Sequence, residues 1–140
     1  MYRTSAGEDA TLLVTAFASK LFAIDRSTGE IRWKVAIESL GTEVDIAVGG
    51  GVVIAATFSK IAFVEYLTGR VLVMANRAGT FRGRATMLVD GPHVYVGGSG
   101  QVECYSTAGQ LLWVQGFPGE GTGSVALGVP GTVRQADRAT

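Results

Sequence analysis

The sequence predicts an all-β chain: a β-propeller of four-stranded antiparallel blades, with three repeats in 140 residues. Three observations predict it. The turn glycines Gly29, Gly69 and Gly109 fall 40 residues apart, and Ser19, Ser59 and Ser99 share that spacing, as do Gly51, Gly91 and Gly131. Apolar residues recur with period two rather than 3.6, so that Ile31, Trp33, Val35 and Ile37 lie on one face and Arg32 and Lys34 on the other. Twenty Gly against three Pro implies many tight turns and therefore short strands. A unit of about forty residues with four short strands has the length of a propeller blade, not of a two-helix repeat.

The elements follow in order. Residues 1–10 form an N-terminal extension, the repeats run over about 11–50, 51–90 and 91–130, and 131–140 is a polar tail without a strand pattern. With strands named a to d from the axis outwards, the first repeat opens at strand b, Leu12–Phe17, then c, Lys20–Asp25, and d, Glu30–Ile37. The apolar runs TLLVTAF, GVVIAATF and HVYVGG read as central strands buried on both faces. The turns DRSTG, EYLTG and YSTAG each end in a Gly that can take positive φ. Strand a of the second and third blades is expected near Val44–Val48 and Arg84–Val89. A further strand a is expected near Ser124–Val129, so the chain starts one strand short and ends one strand over. Propellers close with four to eight blades, and bare apolar end faces call for burial. The expectation is a homo-oligomer, a dimer of six blades. In it Ser124, Val125, Ala126, Leu127, Gly128 and Val129 of each chain complete the first blade of the other.

The pattern apolar-x-Ala-apolar-Asp-x-x-Thr-Gly-x-apolar-x-Trp is intact from Leu21 to Trp33 and resembles the repeat of the quinoprotein-dehydrogenase-like (PQQ-like repeat) β-propellers. The third copy keeps Gly109 and Trp113 but has Ala108 for Thr; the second keeps Thr68 and Gly69 but has Val73 for Trp. The resemblance spans about residues 11–130 and implies the propeller fold, with Gly29, Gly69, Gly109, Trp33 and Trp113 as structural repeat positions. It leaves function open, since such repeats serve enzymes and non-catalytic scaffolds alike.

Little in the chain suggests chemistry. Twelve basic residues balance twelve acidic ones, which gives no general pull towards nucleic acid or an anionic membrane surface. His93 is the single histidine and Cys104 the single cysteine, so no paired-histidine metal site and no internal disulfide can form within one chain. Ser99 lacks the Gly-x-Ser-x-Gly elbow, and GEGTGS at 119–124 is followed by no helix pattern that would offer its N-terminus to a phosphate. The expectation is therefore no catalytic residue, no metal, no cofactor and no enzyme. A quinone-dependent dehydrogenase-like enzyme is an alternative implied by the resemblance alone. Glu8 and Asp9 stand where a signal peptide would be apolar, and no apolar run reaches membrane-spanning length, so a cytoplasmic protein without a membrane partner is expected.

Surface features point instead to contacts. Arg77, Arg82 and Arg84 cluster around Phe81 in the loop 75–84, a mixture suited to anionic partners or to a protein hot spot. Strand alternation places Lys20 and Lys60 on the same rim. Trp33 and Trp113 occupy equivalent positions; they are read as blade-to-blade packing, with a sugar-stacking platform as the glycan-binding alternative. The function expected is a non-enzymatic interaction or structural module of a larger assembly, its partners proteins or further copies of itself.

Overall fold

The computed structural model describes residues 10–37, 44–57, 59–77 and 85–136. Among these, all regular structure is β. Strands β1 (Leu12–Phe17), β2 (Lys20–Asp25) and β3 (Ile31–Ala36) form a three-stranded antiparallel meander, strands b to d of the first blade. Strands β4 (Asp45–Gly49), β5 (Val52–Ala56), β6 (Lys60–Glu65) and β7 (Val71–Asn76) form a complete second blade. Strands β8 (Thr86–Asp90), β9 (His93–Gly98), β10 (Gln101–Ser106) and β11 (Leu111–Gln115) form the third. A short hairpin, β12 (Leu127–Val129) and β13 (Thr132–Arg134), follows as strands a and b of a fourth. The polar tail therefore begins inside a blade. Thr132 and Val133 alternate as a strand requires, but the pattern is too short to read from polarity alone.

The blades stack face to face, and the core lies between them. Val14, Leu21, Ala23 and Trp33 of the first blade meet Val53, Ala55, Ala62 and Val64 of the second. The opposite face of the second blade, Val52, Ile54, Ala56, Ile61 and Phe63, meets Met87, Val94, Val96 and Tyr105 of the third. Successive residues of a strand point to opposite faces, so a strand flanked by two blades must be apolar at every position. β5 meets that condition and is buried throughout. β1 does not: among the described residues no blade covers its outward face, and Leu13 and Phe17 are each 57% exposed. The run that the sequence marks as buried on both faces is thus half-covered.

The forty-residue spacing conceals a shift of register. In the first blade the b–c hairpin closes on Phe17↔Lys20, with Ala18 and Ser19 in the turn. In the second the Thr57 N–H donates to Lys60 O at 2.9 Å, the same place 40 residues on. In the third the closing pair is Gly98↔Gln101, 41 residues on, so Ser99 takes the first turn position rather than the second held by Ser19. The a–b hairpins agree: Gly49↔Val52 becomes Asp90↔His93. The offset returns to 40 at the c–d turn. The Gly29 N–H donates to Asp25 O and the Gly69 N–H to Glu65 O, four residues back, but the Gly109 N–H donates to Ser106 O, three back. One residue gained before β8 is given up in this shorter turn, which leaves the sequence markers evenly spaced although the strands are not.

Candidate interaction surfaces

The c–d turns are built by their own polar side chains. The Arg32 guanidinium donates to Asp25 at 2.8 Å, and the Ser27 and Thr28 backbone N–H groups donate to the same carboxylate. Together these hold the Asp25 carboxyl below its ordinary range. The Thr68 hydroxyl donates to Glu65, which with Arg70 nearby has the same effect on that carboxyl. These turns carry Gly29 and Gly69 at φ +79° and +78°.

In the second and third blades this turn is also the seat for the preceding blade. The Trp33 indole lies on Gly69 so closely that a Cβ there would come within 2.7 Å of the ring. Its Nε1–H donates to the Tyr66 carbonyl at 2.8 Å, and the residue is 9% exposed. Val73 occupies the same place against Gly109, where a Cβ would approach to 2.8 Å. Trp33 thus packs the outer strand of the first blade onto the second. Trp113, the third residue of the series, is 47% exposed and lies beside Tyr95 with ring centroids 6.1 Å apart.

Arg77 requires a correction. Expected on an exposed loop, it is buried between the second and third blades, its side chain 1% exposed. Nε donates to Glu103 at 3.1 Å and Nη1 to the Thr57 carbonyl at 2.8 Å. The Tyr105 hydroxyl donates to the other Glu103 oxygen at 2.6 Å. An arginine cannot be deprotonated in a protein interior, so burying it demands a fixed counter-charge, and Glu103 supplies one from strand β10. Sequence reasoning missed Glu103. The signal was a lone acid inside the apolar stretch from Val102 to Tyr105, but a gapless alignment set it opposite Phe63 instead of Ala62, its structural counterpart.

Of the other expected contact residues, Phe81, Arg82 and Arg84 lie outside the described residues. Lys20 donates to the Ala18 carbonyl at 3.3 Å, and Lys60 donates to Asn76. Cys104 is buried, and burial pushes its thiol up, away from the reactive thiolate. The exchange strand is shorter than expected. Leu127, Gly128 and Val129 form β12, whereas Ser124, Val125 and Ala126 precede it without regular structure. β12 pairs within its own chain with β13, on the edge that exchange would require. Val125 and Leu127 nonetheless seat it on the third blade, against Gly97.

The described residues thus leave two open apolar faces. One, on the first blade, carries Leu13 and Phe17, the latter stacked on Phe22 at 5.0 Å. The other, on the third blade, carries Trp113, and Phe117 beyond it is 45% exposed.

No curated protein matches the sequence. Among solved structures, BamB from Moraxella catarrhalis superposes with a TM-score of 0.64 at 24% identity, over 76% of this chain and 33% of that one. The computationally designed protein Ika8 superposes with a TM-score of 0.67 at 17% identity, over 90% of this chain and 42% of that one. Both likenesses show the bladed fold, and the chain spans less than half the length of either. The family model described as outer membrane protein assembly factor BamB matches residues 3–138, nearly the whole chain, and the chain belongs to that PQQ-like propeller family.

Proposed function

We propose that this chain is a non-enzymatic β-propeller module that works by contact, as one component of a larger protein assembly. The observation that carries the reading is the pair of open blade faces. Inside the chain, faces of the same kind close into continuous cores, yet Leu13 and Phe17 at one end and Trp113 at the other stay exposed. Apolar faces of that kind mark interaction sites on soluble scaffolds. The family's description, an outer membrane protein assembly factor, is of a protein that serves the assembly of others, which supports the same reading. Loops on the rigid blades, with Lys20, Lys60, Phe81, Arg82 and Arg84 among them, would add specificity at the rim.

A photo-reactive amino acid placed in turn at Phe17, Lys60 and Trp113 tests this in cells. The expected outcome is a discrete, saturable cross-link to one protein species from at least one of the three positions. Diffuse cross-linking from all three, no stronger than from the exposed turn residue Glu120, overturns the proposal.

A further inference from the structure

The open face of the third blade and the open turn of the first are the two halves of a contact that the chain already makes internally. We propose that the occupant of each face is a second copy of this chain, docked head to tail, with Trp113 of one copy seated on the Gly29 turn of the other. This rests on the reading of the chain as a contact module and names its partner.

The repeat supplies the geometry. Trp33 and Val73 each cover the turn glycine of the following blade, Gly69 and Gly109. Trp113 holds the next place in that series and remains 47% exposed. At the other end Gly29 has the same backbone conformation as Gly69, φ +79° against +78°. Its turn closes through the same hydrogen bond, Gly29 N–H to Asp25 O at 2.8 Å against Gly69 N–H to Glu65 O at 2.9 Å. Yet among the described residues a Cβ at Gly29 would meet nothing within 4 Å, where one at Gly69 would strike Trp33. Among the described residues, then, there is a tryptophan that lacks its turn and a turn that lacks its tryptophan. Docked as Trp33 is, the Trp113 indole would lie on Gly29 and donate to the carbonyl of Arg26, the counterpart of Tyr66.

The strands count the same way. Among the described residues the first blade holds strands b to d, and β12 is a strand a already seated on Gly97 of the third blade. β1–β3 of the second copy, set beside β12, make a four-stranded blade. β13 occupies the b position that β1 would take, but it holds only three ladder pairs, Leu127↔Arg134, Gly128↔Val133 and Val129↔Thr132. β1 brings the longer, apolar sequence LLVTAF. The second copy thus displaces β13 and leaves β12 in place. Two copies related by a two-fold axis make two such junctions and close a ring of six blades.

The test is solution mass by light scattering across a concentration series, for the wild-type chain, Trp113→Ala and Gly29→Ala. The wild type is expected at twice the chain mass, and each variant at the chain mass with dissociation at least tenfold easier. Far-ultraviolet circular dichroism checks that each variant keeps its strands. Mixing the two variants is the decisive arm: a mixed pair retains one intact Trp113–Gly29 junction, so association reappears in the mixture although neither variant associates alone. A wild-type monomer at every concentration overturns the second copy as occupant. A dimer indifferent to both substitutions overturns the head-to-tail junction. Loss of Trp113 fluorescence on adding glycans to a monomeric chain assigns the face to sugar and likewise overturns the proposal. Each of these results leaves the contact-module reading to its own cross-linking test, which does not depend on self-association.

Discussion

Arg77 and Glu103 show how one side-chain pair can replace an apolar contact at equivalent points of a repeat. Between the first and second blades the corresponding residues are Ile37 and Ala62, both buried in the same cluster. Between the second and third they are an ion pair with side chains 1% and 0% exposed. A buried pair gains strongly from Coulomb attraction at low dielectric but loses the hydration of both charges, so its net contribution is small while the loss of one partner is severe. Glu103→Ala, which strands the guanidinium, is expected to cost about 3–5 kcal/mol in urea unfolding. The triple replacement Arg77→Met, Glu103→Met, Tyr105→Phe removes the two charges and the tyrosine hydroxyl at similar volume, and is expected to recover most of that loss. A triple variant no more stable than Glu103→Ala would show that the ion pair itself, rather than filled volume, holds this junction. From sequence, Arg77 reads as a member of a basic loop because the next arginines follow within a few residues. Nothing local reveals that a glutamate 26 positions away has come to meet it.

At the scale of the element, the c–d turn does two tasks: it reverses the chain and receives the preceding blade's outer strand. The first needs positive φ, which costs a residue with a Cβ about 1–2 kcal/mol. The second needs an absent side chain, because Trp33 lies where a Cβ would go. Gly29→Ala and Gly69→Ala separate the two. In the isolated chain Gly29→Ala is expected to cost about 1–2 kcal/mol for backbone strain alone. Gly69→Ala is expected to lose about 1–3 kcal/mol more, because the indole must shift. Equal losses in thermal or urea unfolding would mean that the Trp33 contact contributes little to the junction between the first two blades. The turns were legible in the sequence as Asp25-to-Gly29 and its repeats, since turn chemistry is local. The register of the third blade was not. An inserted residue and a shortened turn cancel in the spacing of the markers, and only the ladder pairs expose them.

For the molecule as a whole, burial is graded along the chain. β5 and β6 lie in the middle of the stack with a blade on each side, whereas β11 is exposed at every residue and the β12–β13 hairpin is short. Local opening follows the same grade, because a strand covered on both faces opens only when two cores part. In hydrogen exchange of the monomer, the β5 and β6 amides are expected to be the slowest and those of β12 and β13 the fastest. Protection of β13 equal to that of β5 would show a hairpin bound as firmly as a full blade, and would weigh against its displacement by a second copy.

The sequence by itself determined the strands of the three repeats, their turns, the blade as the repeating unit and the propeller class. All of these depend on residues close together in the chain or on a period that counting reveals. Only the tertiary structure decided that Arg77 is interior, that the third blade is offset by one residue and that Thr132–Arg134 is a strand. It alone decided, too, that Trp33 is covered while Trp113 is not. The physical reason is common to these cases. Whether a side chain is buried, and by what, depends on which blade stacks on it, and stacking joins residues tens of positions apart whose meeting leaves no mark in local composition.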